Sequence, residues 1–104
     1  MISVAFLPPA EEEMIAAAQY YESHSHGLGA EFLDEVQRSV EALSSNPRTA
    51  PVIKAGIRRR LLKRFPFGIL YAIEPDTVVV LAVMHLRRRP GYWEGRLKKQ
   101  SRTR

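Results

Sequence analysis

Apolar side chains recur along this chain with two different periods, and the change of period divides it. Ile2-Ser3-Val4-Ala5-Phe6 alternates, as a short strand does. Pro8-Pro9 stops that pattern, and a proline opening a helix ahead of Glu11, Glu12 and Glu13 is a favoured start. Ala10, Met14, Ala17, Ala18 and Tyr21 then share one helical face, which predicts a helix over 9–23. Gly27-Leu28-Gly29 interrupts it. Leu28, Phe32, Val36, Val40 and Leu43 follow at spacings of four and three, predicting a second helix over 28–45 that Ser44-Ser45-Asn46-Pro47 ends. Residues 47–56, with two prolines, read as a loop. From there the pattern changes. Leu61 to Ile73 is apolar on both parities, with Phe65-Pro66-Phe67-Gly68 as a turn or bulge. Glu74-Pro75-Asp76-Thr77 suits a type I turn. Val78 to Met84 is apolar throughout, as in a central strand buried on both faces. These elements predict an α+β fold: an N-terminal strand, a helical hairpin, and a three-stranded antiparallel sheet between about 57 and 88, with the hairpin laid across one face. Phe32, Val36, Val40, Ile69, Leu70, Leu81 and Val83 are its expected core.

Length and composition narrow the class. A chain of 104 residues is one domain, read here as 1–97 with a frayed basic tail over 98–104. No run approaches the roughly 20 apolar residues of a membrane span. The N-terminus lacks the basic and apolar regions of a secretory signal, so a cytoplasmic protein is expected. Without cysteine there is neither a disulfide framework nor thiolate chemistry. The net charge of +5 conceals a division. Residues 1–46 carry one basic side chain, Arg38, against eight acidic ones, while 47–104 carry fifteen basic against three acidic. Such a half steers phosphates or acidic protein segments, unless the acidic helices simply neutralise the basic strands.

Candidate chemistry gathers after the last strand, where His85, Arg87, Arg88, Arg89, Tyr92, Trp93 and Arg96 follow in quick succession. Metal-free RNA cleavage needs a base, an acid and cations for the phosphorane charge. His85 suits proton transfer near neutral pH. Arg58, Arg59, Arg64 and Arg88 suit bidentate phosphate binding, and Tyr92 or Trp93 suits stacking on an unpaired base. Alternation argues against part of this set. Counting by twos groups His85 with Val79, Leu81 and Val83 and sets Arg88 on the other face, unless a bulge or the strand end intervenes. The plainer reading of His85 is a hydrogen-bonded histidine at the core edge. Arg58-Arg59-Arg60 must divide between the two faces, one side tied to acidic helices and the other free for a ligand. Plainer readings serve several other residues. His24 and His26 suit a solvated turn, since no carboxylate or thiol cluster completes a metal site. Glu11–Glu13 complement a helix N-terminus; Tyr20, Tyr21, Phe32, Phe65, Phe67 and Tyr71 suit packing. No metal or cofactor is expected.

A resemblance joins these pieces. Ala10 with its acidic run, Tyr20-Tyr21, Gly27-Leu28-Gly29 with Phe32, and Pro47 come first. Arg58-Arg59, Leu62, Phe65-Pro66-Phe67 and Tyr71 follow, then Ala82-Val83, His85, Arg88, Pro90, Tyr92-Trp93 and Arg96. In this order they resemble toxins of the RelE/ParE superfamily from bacterial type II toxin–antitoxin modules, nearer the ParE-like or plasmid-stabilisation branch. The resemblance spans nearly the whole chain. It implies a growth-inhibiting toxin with a cognate antitoxin, bound through an extended acidic and apolar segment. It leaves the target open among DNA gyrase, ribosome-bound mRNA, and none, the last for a protein that only binds its antitoxin and helps repress its operon. Since only the cations are secure, the expectation is a binding toxin of the gyrase-inhibiting kind rather than an enzyme. Its contact residues are then Arg58, Arg59, Arg64, Arg88 and Trp93, and His85, Arg88 and Tyr92 are the candidates should it be a nuclease.

Overall fold

The segments with helical period fold as helices, α1 over Pro8–His24 and α2 over Leu28–Ser45. They form a hairpin because Gly29 lets their backbones touch: a Cβ there would lie 2.6 Å from the Ala18 carbonyl oxygen. The N-cap of α2 is Gly27, which has no side chain to offer its first turn. Glu22 fills that role from the end of α1, its carboxylate accepting the N–H groups of Gly27 (3.0 Å) and Gly29 (3.0 Å). Those two bonds, Gly27 first, hold the Glu22 carboxyl below its ordinary pKa.

In the computed structural model, which describes residues 2–101 with side chains as far as Leu97, five strands follow one mixed sheet. They are β1 (Ser3–Phe6), β2 (Val52–Lys54), β3 (Ile57–Leu61), β4 (Phe67–Ile73) and β5 (Thr77–His85), in the order β1-β5-β4-β3-β2. The antiparallel β3-β4-β5 core is the sheet expected from sequence. Two corrections enlarge it. The N-terminal strand pairs parallel with β5, from Ser3↔Thr77 to Phe6↔Val80, and so covers the first half of an edge that would otherwise be open. Within the segment read as a loop, β2 pairs with β3 through a two-residue turn. Ala55 (φ 53°) and Gly56 (φ 78°) both take positive φ, as a type I′ hairpin requires. Alanine rarely adopts that conformation, so no Asn-Gly or Asp-Gly signal marked the turn. A last helix, α3 (Glu94–Ser101), runs through the boundary drawn at 97, and residues 102–104 lie outside the described residues.

The register of β4 and β5 slips once. Leu70 pairs with Ala82 but Tyr71 with Val80, leaving Leu81 as the extra residue of a bulge. The slip changes which residues share a face. Val78, Val80 and Val83 all join the core beneath the helices with Ile69 and Tyr71. Leu81 and Met84 join Ile57, Leu70 and Trp93 in a second cluster. The count by twos, which set Val79, Leu81, Val83 and His85 together, is corrected by this one residue.

Phe32 sits at the centre of the larger core, fully buried, with the rings of Phe67 at 5.1 Å, Phe65 at 5.2 Å and Tyr21 at 5.4 Å. Tyr71 is buried beside them and donates its hydroxyl to the Pro47 carbonyl at 2.7 Å. Of the expected core, Val36, Ile69, Leu70, Leu81 and Val83 are buried as well, and Val40 is half-buried against them. On the other face, among the described residues, Leu7 and the segment around Tyr92, Trp93 and Leu97 pack over Ile57, Leu70, Leu81, Ala82 and Met84. Among the described residues, no helix is long and apolar enough to cross a membrane.

Candidate functional site

Strand alternation sorts the basic run of β3. Arg58 pairs across from Tyr71 and Arg60 from Ile69, both residues of the core beneath the helices, whereas Arg59 pairs across from Leu70 of the other face. Arg58 is spent on structure. Its Nη1 donates to the carbonyls of Arg48 (3.0 Å) and Ala50 (2.7 Å), fixing the loop before β2. Arg64 reaches Glu31 of α2 at 2.7 Å, an exposed pair. Of the contact residues expected from sequence, Arg59, Arg88 and Trp93 come together, whereas Arg58 and Arg64 lie apart from them.

Arg59 and Arg88 line one cleft of about 300 Å³ on the face away from the helical hairpin, with Lys54, Met84, Trp93 and Glu94. The stem of Arg59 crosses Gly68, where an added Cβ would meet its Cγ at 3.0 Å, so glycine lets the arginine lie flat on the sheet. Arg88 arrives from the turn after β5, where its N–H bonds to the His85 carbonyl at 2.9 Å. Its guanidinium sits 3.9 Å over the Tyr92 ring. Lys54, supplied by the strand that sequence reading missed, pairs with Glu94 at 2.8 Å. Trp93 is only 3% exposed, so it builds the cleft rather than offering a free face for stacking.

Behind Arg88 lies a charged clasp. Glu13 Oε1 accepts from Val83 N–H and Arg96 Nη1, each at 3.0 Å; Glu13 Oε2 accepts from Tyr92 Oη at 2.8 Å and Arg96 Nη2 at 2.9 Å. Arg96 Nη1 also donates to the Leu81 carbonyl at 2.9 Å. Those two backbone groups belong to the half of the β5 edge that β1 is too short to cover, so the clasp stands in for a missing strand. Its environment commits the side chains. Burial first, then the Glu13 carboxylate, pushes the Tyr92 phenol above its ordinary pKa, and the bond to Glu13 does the same for Arg96. Tyr92 accordingly keeps its hydroxyl proton near neutral pH, donated to Glu13. Glu13, expected from sequence to complement the start of α1, instead ties the β5 edge to Tyr92 and Arg96. Nothing local marks it, because its partners lie 70 to 83 residues away.

His85 closes β5 with its ring edge-on to Phe67 at 5.0 Å and its Nδ1 accepting the Arg87 N–H at 3.0 Å. That bond leaves the proton of the neutral ring on Nε2. The strand end brings Arg88 round to the same side, and the two line a groove of about 340 Å³ with Glu13, Ala17 and Tyr20. His24 bonds to the Tyr20 carbonyl at 2.9 Å and His26 pairs with Glu22 at 3.3 Å. Among the described residues, no group of three or more His, Asp or Glu side chains could hold a metal.

Nothing among curated proteins matches the chain. A solved structure, the chromosomal ParDE TA system from P. aeruginosa, superposes with a TM-score of 0.72 over 84% of this chain and 98% of that one, at 17% sequence identity, and so shares the fold. The family model of the ParE toxin of the type II toxin–antitoxin system parDE matches residues 4–90, from β1 through the cleft arginines, and the chain belongs to that family.

Proposed function

We propose that this chain is the toxin of a type II module, neutralised by a cognate antitoxin, and that it acts by binding and inhibiting an essential target, DNA gyrase, rather than by cleaving a substrate. The observation that carries this reading is a cleft lined by Arg59 and Arg88 but by neither His85 nor Tyr92. Lys54 in the same cleft is held by Glu94, Tyr92 is bonded to Glu13, and His85 turns its Nδ1 to a backbone N–H. An array of this kind holds an anionic surface without activating a nucleophile. One observation favours a second reading, ribosome-dependent mRNA cleavage: His85 and Arg88 line a common groove with Glu13.

Induction in growing cells, with DNA synthesis and translation followed separately, tests the choice. The expected result is that DNA synthesis stops first, transcripts stay intact, and the purified protein inhibits supercoiling by gyrase. Early arrest of translation with cleaved transcripts would replace this reading by the nuclease. No arrest at all would leave a protein that only binds its antitoxin.

A further inference from the structure

A second cationic site lies on the opposite side of β3 from the cleft. Between α2 and the β3–β4 corner, Arg38, Arg60, Lys63 and Arg64 surround a cavity of about 220 Å³ together with Glu35, Ser39 and Leu61. The one carboxylate in it is already occupied. Glu35 is buried, and it accepts the backbone N–H of Lys63 through a short bond and that of Arg64 at 3.3 Å, fixing the corner. Arg64 is paired with Glu31. Arg38, Arg60 and Lys63 have no carboxylate partner among the described residues. Arg60 is the informative member: its Nε is shielded from solvent and bonds to nothing among the described residues. Buried donors are nearly always satisfied in folded proteins. An unmet one beside a cavity lined with cations points to an acceptor that arrives from outside.

The backbone beside the cavity is open too. Leu62 N–H bonds to the Phe67 carbonyl at 2.9 Å, so by alternation the N–H and carbonyl of Leu61 face away from β4. The neighbouring β2 has already ended, since its pairing begins at Val52↔Arg58 and the last bond is from Arg59 N–H to the Pro51 carbonyl. Leu61 is 52% exposed. A strand laid along this edge directs the side chain opposite Arg60 to the same face as Arg60, over the cavity.

We propose that this cavity binds the carboxylate of a Glu or Asp on an extended peptide segment that pairs with the open edge of β3 at Leu61. Resting on the toxin–antitoxin reading above, we assign that segment to the antitoxin. The guanidinium of Arg60 turns toward the incoming carboxylate and gains the acceptor its Nε lacks, while Arg38 and Lys63 close around the charge. The site is separate from the cleft of Arg59 and Arg88, so the two surfaces can be tested independently.

The probe is the peptide acetyl-Val-Glu-Val-Glu-Val-amide, titrated into the isotope-labelled protein and followed by NMR at the backbone amides and the arginine Nε–H groups. Its Gln-containing counterpart and inorganic phosphate serve as comparisons. The expected result is that the Glu peptide shifts Leu61, Lys63 and the Arg60 Nε–H, and that the Gln peptide binds about tenfold more weakly. Arg38→Gln and Arg60→Gln, each with a dispersed spectrum that shows it folded, should weaken the Glu peptide by a similar factor. The proposal is overturned if the two peptides bind alike, if no peptide binds, if the shifts fall on Lys54, Arg59 and Arg88, or if phosphate alone moves the Arg60 Nε–H. None of these outcomes depends on growth arrest, so a failure here is distinct from a failure of the toxin reading.

Discussion

Arg58 and Arg59 are adjacent in sequence and lie on opposite faces of the same strand. Beneath the helices Arg58 is held by two loop carbonyls, in a layer sealed by Phe32, Phe65, Phe67 and Tyr71. Arg59 lies flat over Gly68 on the opposite face, beside Arg88 in the cleft that Trp93 helps to build. Identical chemistry is spent on structure on one side and, under the proposed function, left for recognition on the other, because packing decides which guanidinium keeps its donors unspent. The same contrast separates Glu35 and Glu13, both fixing backbone N–H groups, from the carboxylates left on the helix surface.

The sharpest test of the sealed face is Phe32→Ala. With a fully buried ring among three aromatic neighbours, it should cost about 3–5 kcal/mol in urea unfolding. A loss below about 1 kcal/mol would mean that the helices do not pack as described. Glu13→Ala should follow at about 3 kcal/mol, since it strands Arg96, Tyr92 and a strand-edge N–H together. Hydrogen exchange should then show faster opening at Val83 than at Val78, which β1 still covers.

The arginines come next. Arg59→Ala and Arg88→Ala should each weaken target binding by about 1.5–3 kcal/mol, roughly ten- to a hundredfold, with unchanged unfolding midpoints. Arg58→Ala should do the reverse, losing stability while the folded fraction keeps its affinity. Equal effects of Arg58 and Arg59 on affinity would break the division between the faces.

A pH titration of stability probes the clasp. The Tyr92 phenol has an ordinary value of 10.0 and is raised in the folded chain. Above about pH 10 the unfolded chain therefore releases a proton that the native one retains. Stability should be full below pH 10 and fall as pH rises beyond it. Tyr92→Phe should flatten that decline only in part, because burial raises Tyr71 and Tyr21 as well. The smallest effect is expected from His85→Gln, which should leave growth arrest intact at equal protein levels. Abolished arrest with cleaved transcripts would instead make His85 a working acid or base.

How much of this was legible in the chain varies by element. The bounds of α2, the β3-β4-β5 meander and nearly all of the named core follow from periodicity, because burying one face of an element imposes its period on the residues within it. Charge division by halves is also a property of the chain alone, and so is the order of motifs that placed it near the ParE toxins. Long-range choices are different. A parallel partner for β5, the bulge at Leu81 and the Ala55-Gly56 turn each depend on what lies across the sheet, and one inserted residue was enough to exchange faces. The tertiary structure likewise spent Tyr92, Arg96 and Glu13 on one another and left Arg59 beside Arg88. The physical reason is that a side chain's periodicity is set by its neighbours in sequence, whereas its spare hydrogen bonds and its access to solvent are set by neighbours in space, here up to 83 residues away.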